Sequence, residues 1–164
     1  MKNNLRAVLF HIFIGIVVFA FAFIINYIDV VRDLLYGNFV SRFIVGCIPI
    51  ILYYNFGKWL NIRESKSMDF LFGNLISLIA FILFLPSLLY YGFGAFNLSV
   101  GGSLLRLGFD LFMMPELYIL NLFGISNGLI NFVISLFIPS IIFGISLKNK
   151  RRRLRIRELR RKRR

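Results

Sequence analysis

Hydrophobic residues fall into four long runs, with a fifth, interrupted apolar stretch ahead of the last. The last run, residues 128–147, carries no charge in 20 residues. At about 1.5 Å per residue that is about 30 Å of helix, the thickness of a bilayer's hydrocarbon core. Residues 7–28, 39–56 and 70–91 have comparable length and apolarity. The pattern predicts an all-α integral membrane protein: a four-transmembrane-helix bundle, residues 1–147, followed by a basic tail, residues 148–164. Residues 29–38 read as a short charged link and residues 57–69 as a polar loop. Ala20-Phe21-Ala22 matches a signal-peptidase pattern, but it lies inside the first run, so an uncleaved span is expected.

Residues 92–127 are too apolar for an ordinary loop, yet they hold Arg106, Asp110, Glu116 and Pro115. A helix over about 103–114 places Arg106 and Asp110 on one face, and Pro115 then breaks it. This predicts an extracytoplasmic interfacial or re-entrant helical segment over about 103–123, with its charges among headgroups. Gly124 to Gly128 fits GxxxG, but reads better as a turn in which glycine stops one helix and Ser126 or Asn127 caps the next.

Polar groups inside a membrane are costly and should face the bundle interior. In the first run His11, Gly15, Ala22 and Asn26 fall within an arc of about 60°. Asn74 and Ser77 lie together in the third run; Asn127, Asn131 and Ser135 recur every four residues in the fourth, continued by Ser140 and Gly144. Matching depth predicts two clusters, His11 with Asn74 and Ser77 at one end, and Asn26 with Asn127 or Asn131 at the other. Helix-packing glue is the preferred role, and a polar solute path the alternative. A charged cluster is expected on the outer side from Asp29, Asp33, Arg42, Arg106, Asp110 and Glu116. There Arg42 snorkels or pairs with Asp29 or Asp33. Tyr53, Tyr54, Tyr90 and Tyr91 sit at run ends, as an interfacial belt would. Pro49, Pro86 and Pro139 fall inside the second, third and fourth runs.

Composition agrees with this class: 59% hydrophobic, 16% charged, against about 25% charged in soluble domains. The net charge of +13 is a local device. Lys148, Lys150, Arg151, Arg152, Arg153, Arg155, Arg157, Arg160, Arg161, Lys162, Arg163 and Arg164 face a single nearby acid, Glu158. With both termini cytoplasmic, 17 basic residues lie inside and only Arg32, Arg42 and Arg106 outside, which satisfies the positive-inside rule. The tail is expected to lie on the anionic inner leaflet, at about 1 kcal/mol per basic residue. It has no aromatic residue to stack on bases, which disfavours nucleic acid or ribosomal RNA as its partner. Cys47 is the only cysteine, and no metal, cofactor or nucleotide motif stands out. The expected function is that of a non-enzymatic interaction or accessory protein in the cell membrane, its tail contacting anionic lipid or a cytoplasmic partner. A membrane-protein partner or homo-oligomer fits the polar faces. The alternatives are an oligomeric transporter or channel and an intramembrane enzyme using the outer acids.

Overall fold

The computed structural model describes residues 2–60, 73–125 and 128–162, without the side chain of Lys2. All regular structure among them is helical. The elements are α1 (Lys2–Tyr27), α2 (Asp29–Tyr36), α3 (Phe39–Gly57), α4 (Asn74–Tyr91), a 3-10 helix (Gly92–Asn97), α5 (Leu104–Phe112), α6 (Met114–Leu122) and α7 (Leu129–Lys162). Four stretches, Asn3–Tyr27, Phe39–Gly57, Asn74–Asn97 and Leu129–Lys162, are long and apolar enough to cross a membrane. The chain thus has the make-up of a multi-pass membrane protein.

The long helices alternate in direction. Phe10 stacks on Phe56 at 5.1 Å, so the start of α1 lies beside the end of α3. Ser77 donates to the Leu136 carbonyl and Ser146 to the Tyr54 carbonyl, both at 2.6 Å, which sets α7 antiparallel to α4 and parallel to α3. One end of the bundle therefore carries the start of α1 and the basic tail (the tail end). The other carries Tyr27, Tyr91 and Leu129 (the far end). The surface inverts the pattern of a soluble bundle. Leu9, Phe13 and Ile16 are exposed, while His11, Ser135, Ser140 and Ser146 are buried. An outside this apolar needs an apolar surrounding.

Small residues bring the helices close. Gly57 lies against Ser146, where an added Cβ would stand 2.7 Å from the serine Cβ. Gly73 lies against the α7 backbone at Ser140, with an added Cβ 2.5 Å from its Cα. Such contacts let two backbones approach as only glycine allows. The buried face of α7, with Asn131, Ser135, Pro139, Ser140, Phe143 and Gly144, lies toward α3, α4 and α6.

Between α4 and α7 the chain forms a helical hairpin. Ser103 caps α5 by accepting from the Leu105 amide at 3.2 Å, and α5 runs along α4 toward the tail end. The helix stops at Phe112–Met113, and Pro115 sits in the first turn of α6, where its missing N–H leaves no bond unmade. The α6 helix then returns to the far end against α1 and α3. Phe84, Phe96, Phe109 and Phe132 clamp the hairpin between α4 and α7, with neighbouring rings 4.4–5.3 Å apart. Gly124 and Gly128 both have positive φ, +79° and +96°, a conformation that glycine adopts at no steric cost, and α6 ends just before Gly124. Ser126 and Asn127, the expected caps, lie outside the described residues.

One local expectation changes. Residues 29–36 are a helix rather than a plain link; Asp29 supplies negative charge to its first turn. The basic segment continues the last helix. α7 runs unbroken from Leu129 to Lys162, and at about 1.5 Å per residue the part beyond Leu147 extends about 22 Å along the span's own direction. Lys150 anchors its base by donating to the Leu60 carbonyl at 2.8 Å, and Asn149 donates to the Tyr54 hydroxyl at 3.2 Å. Arg163 and Arg164 lie outside the described residues.

Candidate functional site

Two polar constellations occupy the bundle, and the hairpin builds both. The first is sealed. His11 in α1, Tyr53 in α3 and Glu116 in α6 are all fully buried. The Tyr53 hydroxyl oxygen lies 2.5 Å from both Glu116 Oε1 and His11 Nδ1. His11 Nε2 stands 2.8 Å from the Phe112 carbonyl. That carbonyl is among the last of α5, and such carbonyls have no partner within their own helix. His11 therefore caps the hairpin tip. Glu116 Oε2 is buried without a hydrogen-bond partner.

The second constellation is open: a cavity of about 470 Å³ at the far end, between α1, α2, α3 and the hairpin. Ala22, Asn26, Tyr36, Arg42, Asp110, Tyr118 and Asn121 line it, over a floor that includes Met114, Leu117 and Leu122. Local sequence sets Arg42 in place. Asn38 caps α3 by accepting from the Val40 amide at 2.7 Å, and Ser41 donates to the carbonyls of Leu34 and Asn38, tying α2 to α3. Arg42 then sits one turn into α3. Among the described residues it forms no ion pair, and its Nε is buried without a hydrogen-bond partner.

The acids nearby are already engaged. Asp110 accepts from Arg106 Nε at 2.8 Å and from the Gly101 amide at 2.7 Å. Arg106 also donates to the carbonyls of Ala95 and Leu98. Asp29 and Asp33 both pair with Arg32, at 2.9 and 3.2 Å, and are exposed. Arg42 is thus the unneutralised charge on the cavity wall. Tyr36 and Tyr118 share a 2.8 Å hydrogen bond, and burial with that bond pushes the Tyr118 phenol further up, so it stays neutral.

A second cavity, about 490 Å³, adjoins the first through Met114. Its lining is apolar: Ile12, Gly15, Ile16, Phe19, Leu83, Gly108, Leu111 and Phe112. Along α1, Gly15, Phe19, Ala22 and Asn26 fall at helical spacing, so one face of α1 borders first the apolar and then the polar cavity.

Several expected groupings do not form. His11 does not meet Asn74 or Ser77. Asn74 is exposed and Ser77 bonds to α7, because the hairpin tip and Tyr53 take the space beside His11. Asn26 and Asn131 do not meet either: Asn26 donates to the Ala22 carbonyl of its own helix and Asn131 to the Ile125 carbonyl. Ser135 donates to the Phe132 carbonyl. Among the described residues the outer charged cluster divides into four, with Arg42 on its own. Asp29 and Asp33 stay with Arg32, Arg106 and Asp110 are buried as a pair rather than set among headgroups, and Glu116 descends to the tip. Arg42 pairs with neither Asp29 nor Asp33. Tyr53, expected in an interfacial belt, is wholly buried.

Tyr53 and Glu116 had a sequence signal. Tyr53 continues the buried face Val45, Pro49, Tyr53 and Gly57 at four-residue spacing. Glu116 is the lone ionisable group in the apolar stretch from Leu111 to Leu117, and a lone acid there must find a buried partner. Among the described residues no three His, Cys, Asp or Glu side chains converge as a metal site. No protein-family model, curated protein or solved structure is significantly similar to the chain.

Proposed function

We propose that this protein is a non-enzymatic, four-crossing membrane protein that binds an anionic amphiphile, its headgroup at Arg42 and its chain in the adjoining apolar crevice. Both termini face the cytoplasm, the far end is the outer side, and α5–α6 re-enters from that side. The observation that carries the reading is the Arg42 guanidinium, which among the described residues has no ion-pair partner and has an unbonded buried Nε on the wall of an open cavity. A guanidinium matches the planar oxygens of phosphate or carboxylate, and a desolvated charge favours a counter-ion. The cavity's volume lies in the range of small-ligand sites, about 300–1,000 Å³. The apolar crevice beside it suits a hydrocarbon chain.

The two alternatives fit less well. A solute path is disfavoured because fully buried His11, Tyr53, Met113 and Phe143 fill the bundle toward the tail end. An enzyme using the outer acids is disfavoured because Asp29 and Asp33 pair with Arg32, Asp110 pairs with the buried Arg106, and Glu116 is fully buried. The basic helix beyond Leu147 gives the tail end its own affinity for anionic lipid or an acidic partner.

The test uses the full chain in nanodiscs of neutral lipid, titrated with a fluorescent short-chain phosphatidic acid, with inorganic phosphate as competitor. Arg42→Gln should weaken binding about tenfold to a hundredfold, the value of one or two charge-assisted bonds. The tail is unchanged in that variant, so equal affinity of wild type and Arg42→Gln would refute the site. Displacement by phosphate alone would assign it to a free anion instead of a lipid.

A further inference from the structure

The buried chain His11–Tyr53–Glu116 can be counted proton by proton. A carbonyl only accepts, so His11 Nε2, 2.8 Å from the Phe112 oxygen, carries a hydrogen. The Tyr53 hydroxyl has one proton but two close partners, His11 Nδ1 and Glu116 Oε1, each at 2.5 Å. Its proton serves one of them. The other contact needs a proton from the partner: either a second proton on His11 or one on Glu116. An ionised Glu116 beside a neutral His11 would leave two lone pairs facing each other at hydrogen-bond distance. Both allowed arrangements hold three protons and no net charge. They interconvert when the tyrosine proton and its neighbour each move one place along the chain.

Two observations select the arrangement with the proton on Glu116. All three side chains are fully buried, so separating an imidazolium from a carboxylate there has no solvent to offset it. Glu116 Oε2 has no donor. An unbonded carbonyl oxygen costs less to bury than an unbonded carboxylate oxygen, which carries charge. Among the described residues, the other elements packed on the site add no ionisable group. α7 presents Asn131, Ser135, Pro139, Ser140 and Phe143, and on α5 Arg106 and Asp110 are satisfied by one another and by the 95–101 segment.

We propose that His11, Tyr53 and Glu116 form an internal proton-binding site, with the proton resident on Glu116 at neutral pH and required for the hairpin tip to dock. Glu116 then donates to the Tyr53 oxygen, Tyr53 donates to His11 Nδ1, and His11 Nε2 donates to the Phe112 carbonyl. Removing the proton opposes lone pairs in the chain that holds Phe112 against α1. The site does not depend on the ligand assigned to the Arg42 cavity, although α6 carries residues of both.

The sign of the pH dependence follows. An exposed carboxyl in the unfolded chain loses its proton near its ordinary pKa of about 4.3. The folded site keeps it to higher pH, so that stabilisation is full below that value and is lost as pH rises. The neutral His11, which an unfolded chain protonates below about 6.5, offsets it on the acid side, so the net loss begins above about pH 6.5. The folded-to-unfolded ratio falls by up to tenfold per pH unit until the folded site itself titrates. The experiment follows thermal unfolding of the full chain in detergent from about pH 6.5 to about pH 9. Wild type should melt at falling temperature as pH rises. Glu116→Gln, whose amide donates where the protonated carboxyl did, should melt near the wild-type temperature at the low end of that range and lose the dependence. A second readout needs no Glu116 variant: neutral wild-type protein should show an infrared band of a protonated carboxyl, which shifts in Tyr53→Phe. A wild-type melting temperature that is flat or rises with pH, a Glu116→Gln variant that keeps the wild-type dependence, or absence of the carboxyl band would overturn the proposal.

Discussion

Arg106 and Asp110 are almost fully buried, and each has its hydrogen bonds met by the other or by backbone of the 95–101 segment. Removing one partner from such a pair leaves a buried charge, at a cost of about 3–5 kcal/mol. Arg106→Gln should therefore lower the melting temperature sharply, whereas Arg32→Gln, whose partners are exposed, should change stability by less than about 1 kcal/mol. Equal effects of the two substitutions in a thermal melt would mean that the Arg106 pair is not buried. The i to i+4 spacing of Arg106 and Asp110 was readable in the sequence. Their burial was not, because it depends on carbonyls from Ala95 and Leu98 that no periodicity brings to mind. The same holds for Glu116. Its apolar neighbours announce that it needs a partner, but that partner lies 63 residues away in sequence, on α3.

At the scale of elements, the glycines report which helix faces touch. A Cβ on Gly73 would meet the Ser140 backbone nitrogen at 2.6 Å, whereas one on Gly15 would meet the Pro115 side chain at an ordinary 3.8 Å. Backbone cannot step aside as a side chain can. Gly73→Ala should cost about 1–3 kcal/mol, the range of overpacking, and Gly15→Ala close to nothing. The comparison is read from the thermal unfolding of the two variants, and a Gly73→Ala protein as stable as Gly15→Ala would mean that α4 and α7 are not in contact at this point. The four long helices were legible because apolar length suffices to name them. The start of α5 near Ser103, the break at Pro115 and the turn at Gly124 were legible from local chemistry. The partner of the small stripe on α1 was not. Its His11 and Gly15 meet Phe112 and Pro115 of the hairpin, and only the folded hairpin brings those two residues to α1.

Over the whole molecule, the hairpin ties the account together. It caps itself on His11, closes the floor of the Arg42 cavity through Met114 and Leu117, and returns to the end from which it started. If residues 104–122 instead crossed the bilayer once, their two flanks would face opposite compartments, and neither the outer cavity nor the shared side of the termini would survive. The most direct test is single-cysteine labelling of cells in a Cys47→Ser background, with cysteines placed one at a time at exposed Val100, Ile125 and Glu158. The account predicts that a membrane-impermeant reagent reaches positions 100 and 125 in intact cells, and position 158 only after permeabilisation. Labelling of 100 and 125 from opposite sides, or of 158 in intact cells, would contradict it.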